Sequence, residues 1–439
     1  MEETMRKLIS LLLAIICLVP ACLAETASPS DYTLERVVVL SRHNIRSPMS
    51  GSGSLLGDIT PHTWFEWTSK PSELSLRGAV LETMMGQYFR LWLENEGFIP
   101  ENWKPEDGEV RFYANAKQRT QATARYFSAG LLPVAQPPIE MHAEYDSMDA
   151  VFNPVIHFVT DAYKKDVEAQ IAEMGGSDGL KGICAGVKDA IALLMDVADV
   201  EKSEVYLAGT YGDLKSDEME IILEEGKEPA MNGAIRRATS VADALTLQYY
   251  EEADKQKAAF GHELTEDDWR KIHSIVDTYS EVLFGTPLAS AQIANPLLKE
   301  LRAEFTAEGR RFSYLCGHDS NLCSVLAALG VEAYLLPEAV EQRTPIGGKV
   351  MFERLLDKEG TAWYRVSMVY QSVSQLRNMT QLSLNNPPVV YPLHFTGVSM
   401  NADGLIAEED LLALFDDAID DYDELLEYYT EETPEADAA

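Results

Sequence analysis

The chain has 439 residues, room for one large domain or two to three ordinary ones at roughly 100–200 residues each. Its 46% hydrophobic and 24% charged content excludes an extensively disordered, collagen-like or polytopic membrane protein. The 36 Lys and Arg against 71 Asp and Glu leave a formal charge of −35, which repels nucleic-acid backbones and anionic membranes, so neither is a general partner and any affinity for phosphate must be built locally.

The first 24 residues read as a signal peptide: Arg6 and Lys7 are a short basic region, residues 8–19 an apolar run, and Leu23-Ala24 a small-residue exit. The run is too short to span a bilayer. Val19-Pro20-Ala21-Cys22 loosely resembles a lipobox, so a lipid anchor at Cys22 stands as the alternative to simple cleavage near Ala24. Both readings give an exported protein, periplasmic or secreted, with no stable membrane insertion. Export leaves Cys184, Cys316 and Cys323, an odd number without zinc-ligand spacing. No structural metal is expected, and the thiols read as small apolar residues.

Residues 36–41 are β-branched and almost continuously apolar, as in a strand buried on both faces. Residues 110–115 form a second strand, followed by a helix that ends at Gly130-Leu131-Leu132-Pro133. Helical periodicity, as in residues 234–250, dominates residues 134–285, which are read as an inserted helical domain. A third strand at 312–317 precedes a helix that Gly330 stops. Strands at 349–355 and 363–370 flank the turn Asp357-Lys358-Glu359-Gly360. Strands alternating with helices predict an α/β fold, a mostly parallel sheet flanked by helices. The catalytic α/β domain is placed at 25–133 and 286–425, and an acidic, solvated tail at 426–439.

The chemistry gathers at three strand ends, where ligands bind in open α/β sheets. Arg42-His43-Asn44-Ile45-Arg46-Ser47-Pro48 follows the first strand, Gln118-Arg119-Thr120 opens the helix after the second, and Gly317-His318-Asp319-Ser320 follows the third. Arginine forks bind phosphoryl oxygens bidentately and helix N-termini favour anions. A neutral imidazole is a competent nucleophile, and Arg42 and Arg46 should keep His43 neutral. Asp319 is the candidate acid for the leaving group. Each residue alone reads as structural, with Asp319 as an N-cap; their conjunction points to phosphoryl chemistry. His62, His142, His157, His262, His273 and His394 lie in no comparable setting.

These motifs resemble the histidine acid phosphatases, whose signature pairs an Arg-His-Gly-x-Arg-x-Pro element with a distant His-Asp or His-Ala-Glu element. Asn44 departs from the usual Gly. In that departure, and in Tyr113–Thr120 and residues 240–251, the chain is similar to the periplasmic glucose-1-phosphatase branch and related bacterial phytases. The resemblance spans about residues 37–392 and implies a phosphoglycerate-mutase-like sheet with an inserted helical domain. It implies His43 as the phosphate-accepting nucleophile, Arg42, Arg46, Arg119 and His318 as the phosphate pocket, and Asp319 as proton donor. No metal or cofactor is implied. Asn44 is expected to narrow access to bulky esters, and Glu251 is either a pocket-facing group or a solvated helix end.

The expected function is therefore an exported, metal-independent acid phosphatase acting on small phosphate esters through a phosphohistidine. Sugar phosphates such as glucose 1-phosphate lead, with phytase activity as the alternative. A phosphoglycerate-type mutase shares the Arg-His element, but export argues against it. A non-catalytic anion-binding protein on the same fold would have no need of an acid at position 319. Cysteine-phosphatase and P-loop motifs are absent.

Overall fold

The computed structural model describes residues 31–49 and 55–430. The signal segment, Cys22 and residues 431–439 lie outside the described residues. Strand β1 (Thr33–Arg42) is central: β5 (Phe312–Gly317) pairs with it in parallel and β6 (Lys349–Leu356) antiparallel. Beyond β5 lies β2 (Val110–Ala114), also parallel, and beyond β6 come β7 (Ala362–Tyr370) and β8 (Val389–Pro392), with the short β9 (Ile406–Ala407) on β7. The α/β class is as expected, with the parallel part confined to β2-β5-β1. The rest is antiparallel because β6 and β7 form the hairpin that the Asp357 to Gly360 turn signals, and a short turn joins only antiparallel strands.

Alternation along β1 feeds two cores. Val37 and Val39 face Phe112, Phe127, Phe312 and Tyr314. On that side α1 (Leu76–Asn95) and α2 (Gln118–Leu131) cover the sheet, and Phe127 stacks on Tyr314 at 4.3 Å. Val38 and Leu40 face the other core, with Leu297, Leu301 and Phe305 of α7 (Pro287–Thr306), Leu322 and Val325 of α8 (Asp319–Ala328), and Phe415 of α9 (Glu408–Thr430). Because β1 is buried on both faces, its end is held rigidly.

A third core is mainly helical, built on α3 (Asp161–Met174), α4 (Leu180–Val197), α5 (Ala234–Glu251) and α6 (Glu266–Phe284). A two-stranded ribbon, β3 (Met219–Ile222) with β4 (Ala230–Gly233), interrupts the helices. Helix α9 runs to Thr430, through the start of the expected acidic tail: Leu425, Leu426 and Tyr429 pack on the helical core, and Tyr429 donates to Asp166 Oδ2 at 2.8 Å. Its acidic face masks this apolar stripe when only charge is counted.

Candidate active site

The register of the parallel ladder assembles the site. Arg42 pairs with Gly317 and Ala114 with Cys316, and the ladder continues by His43 N–H to Gly317 O (3.0 Å) and Asn115 N–H to Cys316 O (2.9 Å). The residues leaving the three strands, His43, Asn115 and His318, therefore lie side by side. The His43 and His318 rings meet edge to face with centroids 5.5 Å apart. Gly317 is needed there, since a Cβ would come within 2.4 Å of Asn321 Oδ1 and 2.9 Å of the Phe152 ring. The Asn321 oxygen accepts the His318 N–H at 2.9 Å, making His318 rather than Asp319 the N-cap of α8.

Four cationic or imidazole groups surround His43. Arg42 is buried; it donates to Thr344 O at 2.5 Å and pairs with Asp319 at 3.2 Å. Arg46 pairs with Asp243 of α5 at 3.1 Å, joining the loop after β1 to the helical core. Arg119 reaches His318 Nδ1 at 3.3 Å, and the Asn115 amide lies 2.7 Å from His318 Nε2. The Nε–H groups of Arg42, Arg46 and Arg119 are all buried without a partner, donors of the kind an anion would satisfy. The N-termini of α2 and α8 add to this field.

The structure thus brings together Arg42, His43, Arg46, Arg119, His318 and Asp319. His43 Nδ1 lies 2.9 Å from the Asn44 carbonyl, which can only accept, so Nδ1 carries the proton and Nε2 keeps its lone pair. Burial, followed by Arg119, His318, Arg46 and Arg42, holds the His43 pKa well below that of a free imidazole. For Asp319, burial pushes the carboxyl upward, but Arg42, His318 and Arg46 outweigh it and hold it at about 2. The expected acid is therefore a carboxylate in the unliganded site.

Two expected pocket residues lie elsewhere. The Asn44 side chain is turned inward: Nδ2 donates to the buried Glu82 at 2.8 Å and Oδ1 accepts the Ile45 N–H at 2.8 Å. It does not wall an entrance. Glu251 pairs with Arg77 at 2.9 Å, and Arg77 also donates to the Leu376 and Arg377 carbonyls. A long-range ion pair explains Glu251, and helical periodicity carries no trace of one. Sequence reading missed Asp243, Asn115 and Glu82. A lone acid on the apolar face of residues 78–89 was the available signal for Glu82. Cys184, Cys316 and Cys323 are free thiols, the first two buried.

The histidine phosphatase superfamily (branch 2) matches residues 33–371, and the chain belongs to that family. It is 33% identical over 394 residues to a glucose-1-phosphatase of Providencia rettgeri, covering 88% of this chain and 92% of that one. A Salmonella typhimurium glucose-1-phosphatase is 31% identical over 403 residues, with 91% and 96% covered. The phytase AppA of Escherichia coli is 28% identical, with 91% and 94% covered. Among solved structures, the apo Hafnia alvei phytase superposes with a TM-score of 0.81 at 26% identity, covering 90% of this chain and 98% of that one. The protein is a histidine acid phosphatase, a phosphoric monoester hydrolase. No helix among the described residues is long and apolar enough to cross a membrane.

Proposed function

We propose that this phosphatase is exported and hydrolyses small sugar phosphates such as glucose 1-phosphate, with His43 as nucleophile. The observation that carries the reading is a neutral imidazole with Nε2 free, ringed by three guanidinium groups that each hold a buried, unpartnered Nε–H. Arg42, Arg46 and Arg119 bind the nonbridging oxygens, with His318 beside them. Nε2 of His43 attacks phosphorus, the N–P bond forms, and the ester P–O bond breaks.

The leaving alkoxide needs a proton that ionised Asp319 does not itself hold. The ester supplies it by entering as its monoanion, since the second pKa of a phosphate ester is about 6. A second anion between Arg42 and Asp319 raises the proton affinity of the carboxyl, so the proton passes to Asp319 and then to the alkoxide. Carboxylate Asp319 next takes a proton from water as the water oxygen attacks the phosphohistidine and the N–P bond breaks; that proton passes to the departing phosphate, which leaves as its monoanion and returns His43 to neutral and Asp319 to the carboxylate. This cycle favours acidic pH, where the monoanion is abundant.

Small sugar phosphates lead because the two glucose-1-phosphatases are 33% and 31% identical and the phytase AppA 28%. A phytase reading draws support from the solved neighbours, including the Hafnia alvei phytase in complex with myo-inositol hexakis sulphate, at 27% identity and TM-score 0.79. The N-terminal basic and apolar run supports export to the periplasm. The discriminating experiment is a hydrolysis panel of glucose 1-phosphate, phytate, glycerol phosphate and nitrophenyl phosphate; a higher kcat/KM for phytate reverses the assignment. In the same preparation, His43→Ala should abolish turnover of every ester and remove the acid-labile phosphate trapped by rapid quench. Label surviving in the variant would exclude His43 as nucleophile.

A further inference from the structure

Beneath the nucleophile lies a closed polar ring that the phosphoryl chemistry does not touch. Glu82 of α1 and Lys349 of β6, each 0% exposed, pair at 2.9 Å. The second oxygen of Glu82 accepts from Asn44 Nδ2 at 2.8 Å. Lys349 also donates to Gly347 O at 2.8 Å, and the Gly347 N–H donates to His43 O at 3.1 Å. The path runs His43, Asn44, Glu82, Lys349, Gly347 and back to His43. Gly347 (φ 64°) leaves room for it, since a Cβ would lie 2.5 Å from Asn44 Nδ2.

The geometry at Asn44 gives this ring a task. The carbonyl that receives the His43 Nδ1–H belongs to the Asn44–Ile45 peptide. The N–H of that same peptide is held by Asn44 Oδ1, and the Asn44 backbone N–H is held by Thr123 Oγ1 at 3.1 Å. Holding the N–H end fixes the peptide plane and so aims the carbonyl at the imidazole. The side-chain amide that does this is anchored at its other end by Glu82. A fully buried ion pair adds little stability compared with apolar residues of similar volume, so geometry is the better account of its presence.

We infer that Glu82 is a positioning residue for the reaction: acting through Asn44, it holds the peptide carbonyl that keeps Nε2 of His43 unprotonated and aimed for attack. This inference rests on His43 as nucleophile.

Two variants test it. In Asn44→Asp the neutral carboxyl reproduces the amide, its O–H donating to Glu82 and its other oxygen accepting from Ile45. Once ionised it faces the Glu82 carboxylate, while Lys349 is already engaged. The other groups on Glu82 are the Tyr314 hydroxyl and the Cys316 thiol, both pushed upward by burial first; on Asn44 they are the Thr123 hydroxyl and neutral His43. The ratio of variant to wild-type kcat should fall about tenfold or more between about pH 4.5 and 6.5 as two facing carboxylates replace one. The pair-neutral variant Glu82→Leu/Lys349→Met, which removes the acceptor for Asn44 Nδ2, should lose about tenfold to a hundredfold in kcat, as for a small misplacement of the reacting atom, with the Ki of inorganic phosphate within about threefold. A pH-independent ratio for the first variant, or a kcat within about twofold of wild type for the second, overturns the inference. Acid-labile label on wild-type His43 is measured alongside: its absence removes the nucleophile reading, whereas a labelled wild type with unchanged variants removes only the role of Glu82.

Discussion

At the scale of single residues, Asp319 shows how a side chain legible as an acid acquires a more exact job from its neighbours. Alone, a carboxyl at a helix start is ionised at neutral pH and caps the helix; here Arg42 at 3.2 Å holds it at about 2, and in the proposed cycle an incoming anion turns it into a proton carrier. A sugar alkoxide depends on that proton, whereas nitrophenolate leaves with little help. Asp319→Asn should therefore slow transfer of the phosphoryl group from glucose 1-phosphate to the enzyme about 10² to 10⁴-fold, the usual range for a general acid, and transfer from nitrophenyl phosphate far less. Comparing the single-turnover rates of alcohol and nitrophenol release checks this, since hydrolysis of the phosphoenzyme is common to both esters. Equal losses would leave Asp319 a structural or phosphate-binding role and pass the proton to His318 or water.

Helix α6 carries a carboxyl whose behaviour belongs to the packing of elements. Asp277, its side chain 15% exposed, sits between α6 and the loop holding Gln342, whose N–H it accepts at 3.4 Å, and its other oxygen lies 3.9 Å from His273. Burial, then Glu281 and Glu341, pushes its pKa from 3.8 up to about 8. The folded state thus holds a proton that the unfolded chain releases above 3.8, so this group's contribution to stability falls as pH rises from 3.8 towards 8. The cost at pH 7 is on the order of 4 kcal/mol. Asp277→Asn removes it while keeping the acceptor for Gln342. Thermal unfolding should show the variant gaining on wild type as pH rises from about 5 to about 7.5, the range this carboxyl spans while still protonated in the fold. A pH-independent difference would mean that Asp277 is ionised in the folded protein.

For the whole molecule, the charge of −35 acts on substrates before the arginines do. The barrier to approach grows with the charge of the ester and is screened by salt, with a Debye length of about 10 Å at 0.1 M. Phytate, carrying six phosphates, meets more repulsion than a sugar monophosphate. Raising ionic strength should therefore increase the ratio of kcat/KM for phytate to that for glucose 1-phosphate. A ratio that falls with salt would mean that a local basic surface recruits polyphosphates and would favour the phytase reading.

Much of this protein follows from short-range signals. The β-branched run before Arg42, the stop signals after residue 130 and the hairpin turn at Asp357 to Gly360 each act over a few residues, so β1, α2 and the β6-β7 hairpin were legible in the sequence. Residue chemistry also marked Arg42, His43, Arg46, Arg119, His318 and Asp319 as a set. Register is a different kind of information. That His43, Asn115 and His318 leave the sheet side by side depends on β5 inserting between β1 and β2, a pairing of segments far apart in the chain. The same long-range packing turns Asn44 inward onto Glu82, commits Glu251 to Arg77 and extends α9 into the expected tail. Hydrophobic period and turn chemistry record which face of a segment is buried; which partner it meets there is decided when distant segments close on one another.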